Sequence, residues 1–251
     1  MAGTKYKNPP IEEAVCQFTL AQRAPWEPDT ARHLFEKLRD RYPAMPTQQQ
    51  ILQANLTPAP GAETPGLSLA QNERVVFADT SGLSQLAIGP TAISIHRVKP
   101  YIGFDEDMLP RVERDIPASV ELLKQSPAFS SVSVRYINKI EVTTGNFDLN
   151  EYFNYWGTAD VLPASFDGTI TGFFYRTVAT ERSRPVTLSL NLGSLVAPKD
   201  IAAFALDIEL VYNFEEVADA ATSIAQLVEI KTAENLIFES LITDKARELF
   251  K

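Results

Sequence analysis

With 251 residues, 45% of them apolar, the chain is long enough to bury a sizeable core in one large or two small units, which excludes disorder for most of its length. Its formal net charge of −9 argues against broad, sequence-independent nucleic-acid binding, which needs many Lys and Arg contacts to phosphate, and is read most simply as a solubility feature. No apolar run approaches the roughly 18 residues of a membrane span. The N-terminal Lys5-Tyr6-Lys7-Asn8-Pro9-Pro10 stretch leads into no apolar signal region, so a cytoplasmic protein without membrane association is expected.

Residues 10–20 alternate Val15, Gln17 and Thr19 against Cys16, Phe18 and Leu20, the period of a strand packed on at least one face. The single cysteine, Cys16, cannot form an internal disulfide, and its place in this strand predicts a buried packing residue rather than a reactive thiol. After Pro25 and Pro28, Asp29 or Thr30 can cap a helix whose Ala31, Leu34, Phe35, Leu38 and Tyr42 recur at three- and four-residue spacing until Pro43 ends it. Residues 43–66 hold five prolines, a Gln48-Gln49-Gln50 run and two glycines, which predicts a long exposed loop that is either functional or an insertion. Strand-like runs at 74–79, 83–88 and 92–98, separated by Thr80-Ser81-Gly82 and Gly89-Pro90-Thr91, predict an antiparallel meander. Asp105, Glu106 and Asp107 then favour a helix start, and Met108, Val112, Ile116, Val120, Leu122 and Leu123 supply its apolar stripe, with Pro117 inside it.

The order then restarts. Residues 132–143 form a long predicted strand with Val132, Val134, Tyr136, Asn138, Ile140 and Val142 on one side and Ser133, Arg135, Ile137, Lys139, Glu141 and Thr143 on the other. Asp148 caps a short helix over 149–155, and strands follow at 168–179, 185–195 and 202–214. A helix is expected over 220–241, where Ser223 and Gln226 have capping-box spacing, and a last one over 244–250 after Thr243. The expectation is an α+β fold of two β-α-β-β-β-α units, residues 8–127 and 128–251. The first carries the proline-rich loop 43–66 and the second an extra C-terminal helix, with antiparallel sheet or sheets covered by helices mainly on one face. The repeat is one of element order alone.

Local motifs for chemistry are missing. No dinucleotide or phosphate-loop glycine pattern, no Gly-x-Ser-x-Gly elbow and no His-Glu-x-x-His run occurs. Two histidines, His33 and His96, with one cysteine make no zinc-ligand set, and Asp105-Glu106-Asp107 lacks the spacing of a calcium loop and is read as helix capping. No catalytic residue, metal or cofactor is assigned, and a non-enzyme is expected, although 32 acidic residues always permit a carboxylate pair in space. The aromatic run Tyr152, Phe153, Tyr155 and Trp156, followed by Phe166, Phe173, Phe174 and Tyr175, points first to core packing and second to a pocket or partner surface. Arg176, Arg182 and Arg184 interleave with it in the manner of a single-strand stacking surface, against which the net charge weighs.

The segments Asn8-Pro9-Pro10-Ile11-Glu12-Glu13-Ala14-Val15 and Val134-Arg135-Tyr136-Ile137-Asn138-Lys139-Ile140 stand beside Pro100-Tyr101, Asp148-Leu149-Asn150-Glu151-Tyr152-Phe153 and Phe238-Glu239-Ser240-Leu241-Ile242-Thr243-Asp244. Together, through the Pro-Pro-Ile-x-Glu-Ala and Arg-Tyr-Ile-Asn motifs, they resemble a sporadically distributed family of uncharacterised bacterial proteins of about this length. The resemblance covers nearly the whole chain, departs where Phe104 replaces a tryptophan frequent in that family, and implies no established activity. A patchy distribution is that of mobile genes such as defence and toxin–antitoxin systems. Within the motif, Arg135 and Asn138 project to opposite faces of a strand, which suits a polar clamp between the two units or, second, a ligand site. The function expected is a non-enzymatic protein-binding or scaffold protein, an accessory of such a system, engaging a protein partner or itself as a homo-oligomer. The alternative is a small-molecule sensor holding a ligand in the groove between the units, with Arg135, Tyr136, Asn138, Tyr152, Trp156 and Tyr175 as the binding residues.

Overall fold

Two-residue alternation decides which face of a sheet each side chain takes, and in this chain it runs through most of the strands. The computed structural model describes residues 5–57, 66–123, 128–143, 148–154 and 171–251. The first half contains β1 (Ile11–Leu20), α1 (Thr30–Leu38), β2 (Thr47–Thr57), β3 (Gly66–Ala78), β4 (Ser84–Ile88), β5 (Ala92–Val98) and α2 (Leu109–Leu122), the last entered through a π-helical turn at Phe104–Met108. The second contains β6 (Phe129–Thr143), a 3-10 turn at Leu149–Glu151, β7 (Phe174–Thr180), β8 (Val186–Leu195), β9 (Ile201–Ala218), α3 (Ala220–Leu241) and α4 (Asp244–Glu248). These strands form one sheet in the order β2-β3-β4-β5-β1-β6-β9-β8-β7, every pairing antiparallel. The expected α+β class with an antiparallel sheet is therefore the observed one.

One face is the core. Phe77, Leu86, Ile95, Cys16, Val134, Leu210 and Leu188 are successive cross-strand partners in a single apolar row. Leu34 and Leu38 of α1, Val112, Ile116 and Val120 of α2, and Leu227 and Ile230 of α3 pack in the same cluster. Fully burying each such side chain stabilises the fold by about 1.5–3 kcal/mol. A second cluster sets Ile140, Val142, Phe204 and Leu206 against Leu241, Ala246 and Phe250. The larger cluster takes residues from both halves, so the β1–β6 seam lies inside one core. Cys16 is buried in that row, and burial pushes its thiol up to about 12, which keeps it a packing group at neutral pH. Among the described residues no helix packs on the other face, and no helix is long and apolar enough to cross a membrane.

The loop expected at 43–66 is largely strand. β2 fills Thr47–Thr57 and pairs with β3 from Thr47↔Val76 to Thr57↔Gly66. The prolines mark its limits rather than interrupt it: Pro46 directly precedes the strand, Pro58, Pro60 and Pro65 fall between β2 and β3, and Thr47–Thr57 itself contains neither Pro nor Gly. The first half therefore reads β-α-β-β-β-β-α, one strand more than expected.

Helix starts also differ in detail. Asp219, not Ser223, caps α3, its carboxylate accepting from the Thr222 N–H at 2.7 Å, while the Ser223 hydroxyl is buried with no hydrogen-bond partner among the described residues. Asp29 makes no side-chain cap, and Thr30 Oγ1 instead accepts from the Glu27 N–H at 2.9 Å. Glu106 and Asp107 also pair with Lys5 at 2.7 Å and Arg111 at 2.8 Å. Asp148 and Thr243 cap as their sequence positions suggest.

Candidate functional site

Alternation that sends Val132, Val134 and Tyr136 into the core turns Arg135 to the helix-free face. Two cross-strand rows run through this part of the face. One links Gln85, His96, Val15, Arg135, Glu209 and Ser189, and the next links Glu13, Ile137, Asp207, Asn191 and Arg176. Arg135 reaches diagonally between them and donates from Nε and Nη2 to the two Asp207 carboxylate oxygens, each at 2.8 Å. Asn191 Nδ2 donates to the same carboxylate at 3.1 Å. The Asp207 contact raises the Arg135 guanidinium above its ordinary pKa, while burial raises that of neighbouring Glu209.

Beside this pair, Ser94 Oγ lies 2.8 Å from His96 Nε2 and His96 Nδ1 lies 2.8 Å from Glu13 Oε1. The connectivity is that of a Ser-His-acid relay, but the surroundings are not. Ser94 is only 3% exposed. It sits in mid-strand between Gln17 and Ala87, where the backbone amides serve the ladders to β1 and β4, so no adjacent pair of N–H groups is left to hold an oxyanion. The arrangement ties Ser94, His96 and Glu13 together on this face. The hydrogen bond from His96 lowers the Glu13 pKa, with Arg135 and Arg74 contributing through charge. Among the described residues no group of three or more His, Cys, Asp and Glu is placed to hold a metal ion.

Of the six residues expected to bind a ligand, the five that are described do not converge. Tyr136 and Asn138 are buried on the helix side: the Tyr136 hydroxyl lies 3.0 Å from that of Tyr101, Lys231 Nζ sits 4.6 Å from the Tyr136 ring centroid, and Asn138 Nδ2 donates to the Leu206 carbonyl at 3.1 Å. Tyr152 belongs to the second cluster, with Lys245 Nζ 4.8 Å from its ring centroid, and Tyr175 lies on β7 opposite Leu192. Trp156 falls outside the described residues, as do Tyr155 and Phe166. The clamp reading needs correction too: Arg135 and Asn138 bind Asp207 and Leu206, which ties β6 to β9 within the second half, whereas the halves are joined by the β1–β6 ladder.

What does lie between the halves is a notch. β6 overruns the start of β1, which begins opposite Asn138, and the Lys139 N–H donates to the Pro10 carbonyl at 2.8 Å. The other side of the notch is the chain leaving β5, where the Lys99 N–H donates to the Glu12 carbonyl at 2.9 Å. A cavity of about 500 Å³ opens here, walled by Pro9, Pro10, Pro100, Tyr101 and Phe250 and ringed by Lys7, Lys99 and Lys139. The chain before β1, the chain after β5 and the β6 strand thus meet at one place. Comparison with protein-family models, with curated proteins and with solved structures gives no significant match for this chain.

Proposed function

We propose that this chain is a non-enzymatic binding protein that engages a protein partner through the helix-free face of its sheet. One observation carries the reading: the polar groups at the centre of that face, Arg135 with Asp207 and Asn191 and Glu13 with His96, are already held by mutual hydrogen bonds. Side chains ordered in advance lose less entropy on association, and alternating charge signs favour partner selectivity over raw affinity. A second copy of the chain is the other occupant this face could take, giving a homo-oligomer. A role in a bacterial defence or toxin–antitoxin system rests on the resemblance alone.

The halves are proposed to be copies of one unit. In each, the first strand pairs with the last strand of the meander that follows, β1 with β5 and β6 with β9, and a long helix comes next, α2 or α3. Affinity capture from the native host tests the binding reading: the wild type retains a partner that the Arg135→Glu/Arg176→Glu variant loses. Retention by both would count against the face. A second reading, a small-molecule sensor, is favoured by the notch cavity.

A further inference from the structure

We infer that the notch between the halves binds a small organic anion with a planar apolar body, an aryl phosphate or aryl carboxylate. This rests on the second reading, that the cavity is a ligand site. At about 500 Å³ it is of small-ligand size. Its walls combine the rings of Pro9, Pro10, Pro100, Tyr101 and Phe250 with the polar side chains of Asn8 and Glu141. Prolines have no N–H, and the carbonyls of Pro10 and Pro100 already accept from Lys139 N at 2.8 Å and Arg97 Nε at 3.1 Å. Tyr101 turns its hydroxyl inward to Tyr136, leaving its ring at the cavity.

The charge is supplied by the rim. Lys7, Lys99 and Lys139 line the cavity with Glu141 as the one lining carboxylate, in a chain whose formal net charge is −9. Lys139 is held by Glu141 at 2.7 Å and Lys99 by Glu12 at 2.8 Å, whereas Lys7 forms no ion pair among the described residues. An incoming phosphate or carboxylate meets at Lys7 a cation with no ion pair among the described residues, while it shares Lys99 and Lys139 with Glu12 and Glu141. A neutral ligand of the same shape gains no such charge contact. A second cavity, about 390 Å³ beside α2, differs in this respect: Arg41 and Arg114 are both bound to buried Asp115 and Arg111 to Asp107, so its cations are committed to the fold.

Titration of the full chain with phenyl phosphate, benzoate, neutral benzamide and inorganic phosphate, followed by chemical-shift changes at Tyr101 and Phe250, tests the assignment. Phenyl phosphate or benzoate is expected to bind at the notch at least about tenfold more tightly than benzamide or inorganic phosphate, a difference of roughly 1.4 kcal/mol. The tighter of the two names the head group. Lys7→Gln, which breaks no ion pair of the described fold, weakens that binding, and Lys99→Gln does likewise. Benzamide binding equal to the anions would keep the ligand site and overturn its anionic class. No shift at Tyr101 or Phe250 with any probe would overturn both.

Discussion

Asp115 and Arg135 make similar contacts at different depths, and depth sets what each contributes. The Asp115 side chain is fully buried and receives Arg41, the Tyr42 hydroxyl at 2.6 Å and Arg114 Nη2 at 2.7 Å. Removing it strands the buried Tyr42 hydroxyl, while Arg41 and Arg114 can turn to water, so Asp115→Ala is expected to lower unfolding free energy in urea by about 1–3 kcal/mol. The Arg135 side chain is 42% exposed. Arg135→Met is therefore expected to cost less than about 1 kcal/mol in the same assay. Equal losses for the two variants would contradict this ranking.

Glu13 gives a prediction with a sign. Its folded pKa is lowered, first by His96, so its stabilising contribution is complete above the ordinary carboxyl pKa of about 4.3 and is lost as pH falls through the lower folded value. The stability gap between wild type and Glu13→Gln should narrow between about pH 5 and pH 3, as read from urea midpoints. A gap constant over that range would show that the His96 contact does not couple to folding. Sequence alone hides this contact, because Glu13 and His96 become neighbours only when β1 lies beside β5. Ser94 and His96 did carry a local signal: two residues apart in a strand, they must share a face.

At the scale of elements, β1, β6 and the β4–β5 hairpin follow from alternation, and the buried Val132, Val134, Tyr136, Ile140 and Val142 fall where that period puts them. The β2–β3 hairpin does not, because composition averaged over residues 43–66 counts prolines that flank the strand as if they broke it. Ser223 fits a capping pattern, yet Asp219 lies at the true boundary and caps one turn earlier. Beyond Val75–Ala78, β3 pairs only with β2. Replacing residues 53–70 by Asn-Gly joins Leu52 to Gln71, which already face each other, through a two-residue turn. The shortened protein should unfold in one transition within about 1 kcal/mol of the parent. Loss of cooperative unfolding would show that the distal hairpin packs on the body.

For the whole molecule, the order of elements apart from β2 was legible and the notch was not. A core face with helices follows from one-sided apolar strands, but the notch arises because β6 overruns β1 at the seam, a matter of register between segments far apart in sequence. Aromatic density marks packing, the first reading of that run: Tyr152 and Phe153 are buried in the second cluster, and burying rings is the commonest use of them. The helix-free face, by contrast, is the alternate half of the same strands, so its polar residues were readable as soon as the core was. Arginine-selective labelling of the partner complex captured from the native host tests the central claim most directly. The proposed mode predicts that Arg135 and Arg176 are protected in the complex while Arg182 and Arg184, beyond the end of β7, react as in the isolated chain. Protection confined to residues away from the helix-free face would contradict it.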